Sequence, residues 1–141
     1  MSEYKRVIEK YGVLSFTPSG SSMWPIISNR ADTVIIKTPP KVLKKYDVAF
    51  YERASGQAVL HRVIKVHENT YDMCGDSHTA VEKGVPFDAV FGIMAGYYKG
   101  KKYIDCEKNL LYKVIVRFWS FSIFFRRCMI KGLSLFGIRA K

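Results

Sequence analysis

Three polar side chains lie where neither a hydrophobic core nor a plain surface turn has an obvious use for them. Ser22 belongs to the stretch Gly-Ser-Ser-Met-Trp-Pro at residues 20–25, His61 interrupts an apolar strand-like run, and Asp76 follows a Cys-Gly pair directly after another such run. A serine hydroxyl becomes a nucleophile when a positioned base takes its proton, so these residue types point to covalent hydrolytic chemistry. Taken alone, Ser22 also fits a helix N-cap ahead of a proline-led segment.

His61 is the better candidate for the base. Neutral imidazole accepts a proton near working pH, whereas a lysine must first lose its charge through deep burial. The nearest lysine on the same run, Lys65, lies four residues further along the chain. The sequence therefore predicts that His61 activates Ser22.

These motifs resemble those of the signal peptidase I superfamily, a group of serine endopeptidases that includes the LexA-like self-cleaving repressors. The stretch at residues 20–25 is similar to the family's nucleophile box, Gly-x-Ser-Met-x-Pro, which implies that Ser22 is the nucleophile. Residues 46–66 resemble the next block, an Asp-Val-x-x-Phe strand followed by a strand that bears the base, and residues 74–98 resemble the closing Gly-Asp block. The three blocks occur in the family's order, and the resemblance covers about residues 13–105.

The residue before Arg-Val-Ile separates two branches of this superfamily. Most bacterial signal peptidases and the repressors have a lysine there, whereas the endoplasmic-reticulum type has a histidine. Because this chain has His61 at that position, the resemblance implies a Ser-His peptidase. The Gly-Asp block implies that Asp76 accepts from the second imidazole nitrogen, and Asp88 is a second candidate for that role.

The oxyanion hole is expected to depend on the backbone. Many signal peptidases use a serine hydroxyl two positions before the nucleophile, but this chain has Gly20 there, as the mitochondrial branch and the repressors do. We therefore expect the Ser22 N–H to be the main donor, with Ser19 and Ser21 as further candidates. No cofactor is implied. No metal site is expected either, because the histidines lack a compact ligand spacing and His67 and His78 fit solvated loop positions.

Length and composition predict a single domain over residues 1–141. The chain is 48% hydrophobic, which is enough for a core, and we find no repeat or low-complexity segment. Its three cysteines are an odd number without a Cys-x-x-Cys pair, which favours a reducing compartment. The first fourteen residues are charged throughout and lack the apolar run of a secretion signal or anchor, so we expect a cytoplasmic location.

Local patterns predict a mainly β fold with a helix at each end. A short amphipathic helix is expected near residues 3–11, and a long basic, amphipathic helix is expected over about 108–138. Between them, within a catalytic core at about 13–105, lie short runs rich in Val, Ile, Tyr and Phe at residues 32–37, 47–52, 58–66, 70–74, 89–98 and 101–105. Their close spacing predicts the antiparallel, partly closed β-fold that the signal peptidase and LexA-like resemblance also implies.

The C-terminal tail carries much of the positive charge. The formal net charge is +11, and no acidic residue follows Glu107. Two interpretations of this tail stay open. It is either a core helix with a basic edge in water, or an interfacial helix that holds the protein peripherally at the anionic inner membrane surface. A spanning helix is disfavoured, since the longest uncharged stretch, residues 118–125, is far shorter than the roughly 20 residues that a bilayer requires.

The favoured function is a stand-alone serine endopeptidase that cleaves a leader or signal-like segment from a peptide or protein precursor. The chain has a charged helix where secretory signal peptidases have a membrane-spanning segment, and its first fourteen residues are too few for a helix-turn-helix of the repressor type. One alternative is a catalytically silent peptide-binding module on the same fold. The other is a basic nucleic-acid-binding domain, the least favoured because the positive charge lies on the tail rather than among aromatics on the strands.

Overall fold

The protein is organised around one antiparallel β-sheet. The computed structural model describes residues 1–121 and 123–137. Its elements in chain order are α1 (Glu3–Tyr11), β1 (Val13–Phe16), β2 (Thr33–Lys37), β3 (Val48–Glu52), β4 (Ala58–Val66), β5 (Thr70–Cys74), β6 (Glu82–Pro86), β7 (Val90–Lys99), β8 (Lys102–Asp105), α2 (Leu110–Ser120) and α3 (Ile123–Leu135). A single 3-10 turn, Phe87–Ala89, joins β6 to β7.

The strands are ordered β1-β2-β7-β3-β4-β5-β6, and β8 pairs with β7 outside this path. All pairings are antiparallel, which confirms the predicted mainly β, antiparallel class. The predicted partial closure is not observed, because the sheet is open over the described residues.

The hairpin formed by β3 and β4 sets the orientation of the central polar residues. Its register pairs Val48 with Arg62 and Ala49 with His61. Because successive side chains on a strand point to opposite faces, His61 and Arg62 face opposite sides of the sheet. Tyr51 lies two positions beyond Ala49 and therefore shares the face of His61 as its diagonal neighbour.

Two apolar clusters cover the two faces of the sheet. The larger one joins α1, the segment after residue 22, the central strands and α2, with Ile8, Ile27 and Val116 each 2% exposed. The smaller one contains Ala49, Tyr51 and other residues of β3 to β6. Of the catalytic candidates, His61 therefore lies on a sheet that is buried on both faces, and Ser22 and Asp76 lie in loops beside it.

Local capping explains α1. The Ser2 side chain accepts from the Lys5 N–H at 3.3 Å, and Gly12 ends the helix with a φ of 74°. This conformation is left-handed and favours glycine. The predicted helix at residues 3–11 is confirmed.

Six of the strands coincide with predicted runs, but β1 and β6 were not predicted. β1 has only four residues, too few for a periodic signal. β6 reads Glu-Lys-Gly-Val-Pro and pairs with β5 alone within the described sheet. Its glycine and proline argue against a strand in sequence, although proline is tolerated at an edge.

The prediction of one long C-terminal helix is wrong. The segment forms two helices, α2 and α3, of eleven and thirteen residues, and the predicted end at residue 138 lies outside the described residues. Asn109 caps α2 by accepting from the Tyr112 N–H at 2.8 Å. Tyr112, Val116 and Trp119 are buried against the domain, so α2 belongs to the core rather than to a separate tail.

Candidate active site

The segment around Ser22 is an irregular turn, not a helix start, so the N-cap interpretation of Ser22 does not hold. Met23 is 3% exposed and anchors the turn in the larger apolar cluster. From the other side, Ser77 donates its N–H to the Ser22 carbonyl at 3.0 Å and its hydroxyl to the Ser21 carbonyl at 2.9 Å. The turn is thus held between the core and the loop at residues 75–78.

The hydroxyl and the N–H of Ser22 are both available for chemistry. Ser22 is half-buried, and neither group has a hydrogen-bond partner within residues 1–121 and 123–137. The Ser22 hydroxyl is therefore not hydrogen-bonded to His61 within these residues, whereas a free N–H is what an oxyanion donor needs.

Gly75 lies close to both Ser22 and His61. A β-carbon at Gly75 would lie 2.6 Å from the Ser22 carbonyl oxygen and 3.2 Å from Nε2 of His61. It would also lie 3.0 Å from Nδ1 of His78. Only glycine fits between these groups, so this residue allows the serine turn to approach the imidazole.

The Nδ1 side of His61 is engaged by Tyr51. The Tyr51 hydroxyl lies 3.2 Å from Nδ1 of His61 and donates its proton to Glu82 Oε2 at 2.6 Å. A phenol has one proton, so the Tyr51 oxygen accepts the N–H of Nδ1. The neutral His61 then carries its lone pair on Nε2, the nitrogen that lies beside Gly75.

Charge on the far side of Tyr51 supports this assignment. Arg53 donates to Glu82 at 2.8 Å and lowers the pKa of that carboxyl. Burial partly opposes this shift, and the hydrogen bond from Tyr51 adds to it, so the pKa of Glu82 is lowered overall. Burial, followed by the hydrogen bond to Glu82, raises the pKa of Tyr51 well above its usual range. Glu82 is therefore ionised and Tyr51 protonated at neutral pH, as the relay from His61 to Glu82 requires.

His61 is held in its neutral form. It is 5% exposed, and burial, assisted by the nearby His78 and Arg53, lowers its pKa from 6.5 to about 4. The His78 ring lies edge-on to it with the ring centroids 5.5 Å apart. His78 is exposed in the loop after Asp76, as expected, and its ring also contacts the His61 ring.

Asp76 has a different partner from the one predicted. Both of its carboxylate oxygens accept from Arg62, at 2.8 and 2.7 Å, and both side chains are fully buried. The carboxylate is not hydrogen-bonded to His61 in the described part of the chain. Because Arg62 faces the opposite side of β4 from His61, its bidentate pairing directs Asp76 away from the imidazole.

The remaining candidates lie outside the site. Asp88 is exposed in the 3-10 turn before β7, and Lys65 is exposed on β4 rather than buried as a lysine base would need to be. His67 pairs with Asp72 at 3.0 Å. Over the residues that the structure describes, no cluster of three or more His, Cys, Asp or Glu side chains could hold a metal ion.

The two C-terminal helices hold the loop at residues 75–78. Trp119 of α2 donates to the Asp76 carbonyl at 2.7 Å, and Arg126 of α3 donates to the carbonyls of Gly75 and His78 at 2.9 and 3.0 Å. Arg126 is 0% exposed. Carbonyls of the loop that contacts Ser22 and His61 are thus fixed by residues far along the chain.

Sequence reasoning missed Tyr51, Glu82, Ser77 and Arg126. A signal for Tyr51 exists, because the short turn between β3 and β4 sets a register that makes it the diagonal neighbour of His61. Glu82 and Arg126 come from distant elements, and no local pattern connects them to the histidine.

Comparison with known proteins adds no relative. No family model, no curated protein and no solved structure matches this chain. The likeness to signal peptidases therefore depends on the motifs at residues 20–25, 46–66 and 74–98.

Proposed function

We propose that this protein is a serine endopeptidase in which Ser22 is the nucleophile and His61 the general base. One observation carries the proposal: Nε2 of His61 and the Ser22 carbonyl oxygen lie 3.2 and 2.6 Å from the position that a β-carbon at Gly75 would take, while Nδ1 is occupied by Tyr51. An imidazole that has its lone pair on the nitrogen near a serine turn is the starting arrangement for serine activation. The proposal requires the Ser22 hydroxyl to come within hydrogen-bond distance of Nε2 when substrate binds, and such contacts are often loose in a free enzyme.

The proposed reaction is acyl transfer to Ser22. The Ser22 oxygen attacks the carbonyl carbon of the scissile peptide bond as its proton moves to Nε2 of His61. The resulting oxyanion accepts the Ser22 N–H. The C–N bond then breaks, the proton passes from Nε2 to the leaving amine, and a water molecule hydrolyses the acyl ester by the same proton route.

In this proposal Tyr51 and Glu82 orient His61, the role first assigned to Asp76. The Tyr51 oxygen accepts a hydrogen bond from Nδ1–H, and its hydroxyl donates to Glu82. Through this chain of hydrogen bonds the negative charge of Glu82 stabilises the imidazolium that forms during the reaction. Asp76 acts indirectly, because its pairing with Arg62 fixes the backbone next to Gly75.

The proposed substrate is a leader or signal-like segment of a peptide or protein precursor. The motif resemblance to the signal peptidase and LexA-like superfamily supports both this substrate class and that fold type. The free backbone N–H at Ser22 and the half-buried turn suit an extended peptide that crosses the site.

The test is hydrolysis of precursor-like peptides by the wild-type chain and by Ser22→Ala, with Ser21→Ala as the neighbouring control. We expect Ser22→Ala to lose cleavage and labelling by a serine-reactive phosphonate, whereas Ser21→Ala keeps both. Circular dichroism of each variant checks that the fold is unchanged. Equal cleavage by Ser22→Ala would refute the assignment, and a peptide that binds without being cut or labelled would favour the peptide-binding module.

A further inference from the structure

One side of α2 and the start of α3 expose an unusually apolar surface. The outer face consists of residues that share high exposure and no hydrogen-bonding side chain: Leu111, Val114, Ile115, Phe118, Phe121 and Phe124. Phe118, Phe121 and Phe124 are 62%, 82% and 75% exposed. A contiguous apolar surface of this kind marks an interaction site more often than a free surface.

The outer face is not an unfilled part of the core. Tyr112, Val116 and Trp119 recur at intervals of four and three residues and are buried against the domain. Val114 and Phe118 lie on the opposite side of the same helix, since each residue advances the helix by about 100°. The helix is therefore apolar on both sides, and packing within the domain accounts for only one of them.

Cationic side chains lie next to the outer face on both helices. Lys113 and Arg117 lie along one edge of it on α2, and Arg127 and Lys131 continue on α3. None of these positions has an acidic neighbour on either helix, because the sequence has no acidic residue after Glu107. This combination favours anionic lipid headgroups around an apolar surface inserted between them.

A nearby cleft extends the positive charge beyond the helices. A cavity of about 700 Å³ is lined by five cationic residues, Lys37, Lys44, Lys45, Lys113 and Arg117, and by two acidic ones, Asp47 and Glu107. Neither Ser22 nor His61 lines it. The basic surface next to the outer face is thus separate from the candidate active site.

We infer that the outer face docks on an anionic membrane surface, with its phenylalanines in the headgroup boundary and the flanking cations on lipid phosphates. A second copy of the chain fits less well, because two such faces would bring like charges together on molecules with a net charge of +11. None of the helices in the described ranges, 1–121 and 123–137, combines the length and apolar character needed to cross a bilayer. The docking is therefore peripheral.

Docking by these helices places the active-site loop close to the membrane. The inner side of α2 holds the Asp76 carbonyl through Trp119, and α3 holds Gly75 and His78 through Arg126. This consequence depends on the proposed peptidase function and implies that substrate is presented at the membrane surface. The docking itself does not depend on the peptidase function, so loss of vesicle binding and loss of peptide cleavage are separate outcomes that test separate proposals.

The experiment measures binding of the intact chain to vesicles by co-sedimentation. Phosphatidylcholine vesicles containing a quarter phosphatidylglycerol are compared with pure phosphatidylcholine at low and at high salt. We expect binding to the anionic vesicles that weakens at least about tenfold on neutral vesicles or at high salt. Absence of binding to anionic vesicles at low salt would overturn the proposal.

Two sets of substitutions locate the surface, and all the residues replaced are exposed except Lys113, which is partly exposed. Phe121→Ser with Phe124→Ser removes apolar contact, and Lys113→Gln with Arg127→Gln and Lys131→Gln removes charge. Each set should weaken anionic-vesicle binding at least about tenfold. The controls, Tyr11→Ser and Lys101→Gln with Lys102→Gln, change exposed residues elsewhere and should bind as the wild type does.

Other occupants of the outer face are distinguished by the same variants. If all variants bind vesicles equally well, the outer face is not the docking surface. Sedimentation velocity without lipid tests self-association. If the wild-type chain forms a dimer and the double variant Phe121→Ser with Phe124→Ser is monomeric, the outer face binds a second copy, and membrane docking is overturned.

Discussion

At the scale of single residues, the histidine depends on a tyrosine rather than directly on an acid. The Tyr51 oxygen accepts a hydrogen bond from Nδ1–H of His61, and its hydroxyl donates to Glu82, which Arg53 keeps ionised. An acid acting through a phenol fixes the tautomer as a direct carboxylate would, but it puts less charge next to the imidazole. This agrees with a His61 that burial keeps neutral.

Tyr51→Phe tests this relay. The substitution keeps the ring but removes the acceptor for Nδ1, so the tautomer with its lone pair on Nε2 loses its support. We expect kcat for peptide cleavage to fall about 10- to 100-fold. Tyr71→Phe is the matched control, because Tyr71 is buried on the same face but accepts from the Leu43 N–H. Wild-type turnover in Tyr51→Phe would show that His61 is oriented in another way.

The pH dependence of cleavage follows from the environment of His61. In the proposed mechanism only the neutral imidazole accepts a proton from Ser22, and burial lowers the pKa of His61 to about 4. We therefore expect kcat/KM to fall on the acid side with a midpoint near pH 4 instead of 6.5. The same shift makes folding less favourable as the pH falls from 6.5 towards 4, because the unfolded chain binds that proton more tightly.

Removing His78 should move that midpoint. His78→Asn eliminates a nearby positive charge and should raise the pKa of His61, whereas His67→Asn should leave it unchanged because His67 pairs with Asp72. The pH profiles of the three proteins provide the measurement. An acid limb that begins only well above the histidine range would point to a lysine base and contradict the assignment.

At the scale of elements, the candidate active site is assembled by contacts between strands and the loop after β5. The buried pair of Arg62 and Asp76 joins β4 to that loop, and Arg62 also donates to the Tyr46 carbonyl and to the Tyr112 hydroxyl. One guanidinium thus connects four parts of the chain. It needs its carboxylate, since an unpaired buried charge is costly.

Asp76→Asn should therefore act mainly on stability. The variant leaves the Arg62 charge buried without its partner, and we expect the free energy of unfolding to fall by about 3–5 kcal/mol. Urea unfolding monitored by tryptophan fluorescence measures this. Asp88→Asn, at an exposed position, should change it by less than about 0.5 kcal/mol. Unchanged stability combined with a shifted acid limb would instead return Asp76 to the role of orienting His61.

At the scale of the whole molecule, the C-terminal third is part of the folding unit. Tyr112 and Val116 belong to the larger apolar cluster, and Trp119 is bonded to the Asp76 carbonyl. A chain that ends at Glu107 would lose these contacts and expose the core beneath α2. Point substitutions on the outer face are for this reason a cleaner test of membrane docking than truncation.

Truncation after Glu107 should unfold the protein or nearly so. Burial of three large apolar side chains is lost, and each contributes about 2–3 kcal/mol against a typical total stability of about 5–15 kcal/mol. Thermal unfolding by circular dichroism compares the truncated and the full-length chain. A truncated chain with an unchanged, cooperative transition would show that α2 does not belong to the core.

Much of the fold is predictable because its signals are local. The run at residues 58–66 matches β4 and the run at 70–74 matches β5, since β-branched and aromatic residues between turns identify strands directly. Sheet closure, the edge strand β6 and the division of the last helix in two depend on neighbours that are distant in sequence, and local patterns do not contain that information.

For the candidate site, the sequence by itself determined the chemical types: a serine in a turn, a histidine inside a strand and an aspartate after a glycine. These follow from residue identity and from the two-residue period of a strand. Only the tertiary structure decided the partners. In the folded protein Asp76 pairs with Arg62, and Tyr51 and Glu82 lie on the Nδ1 side of His61. One side of α2 is buried, whereas Phe118 on its other side is exposed to solvent. Partner choice is a property of strand register and helix packing, in which residues far apart in the chain compete for the same contact, and that competition is resolved only when the whole domain has folded.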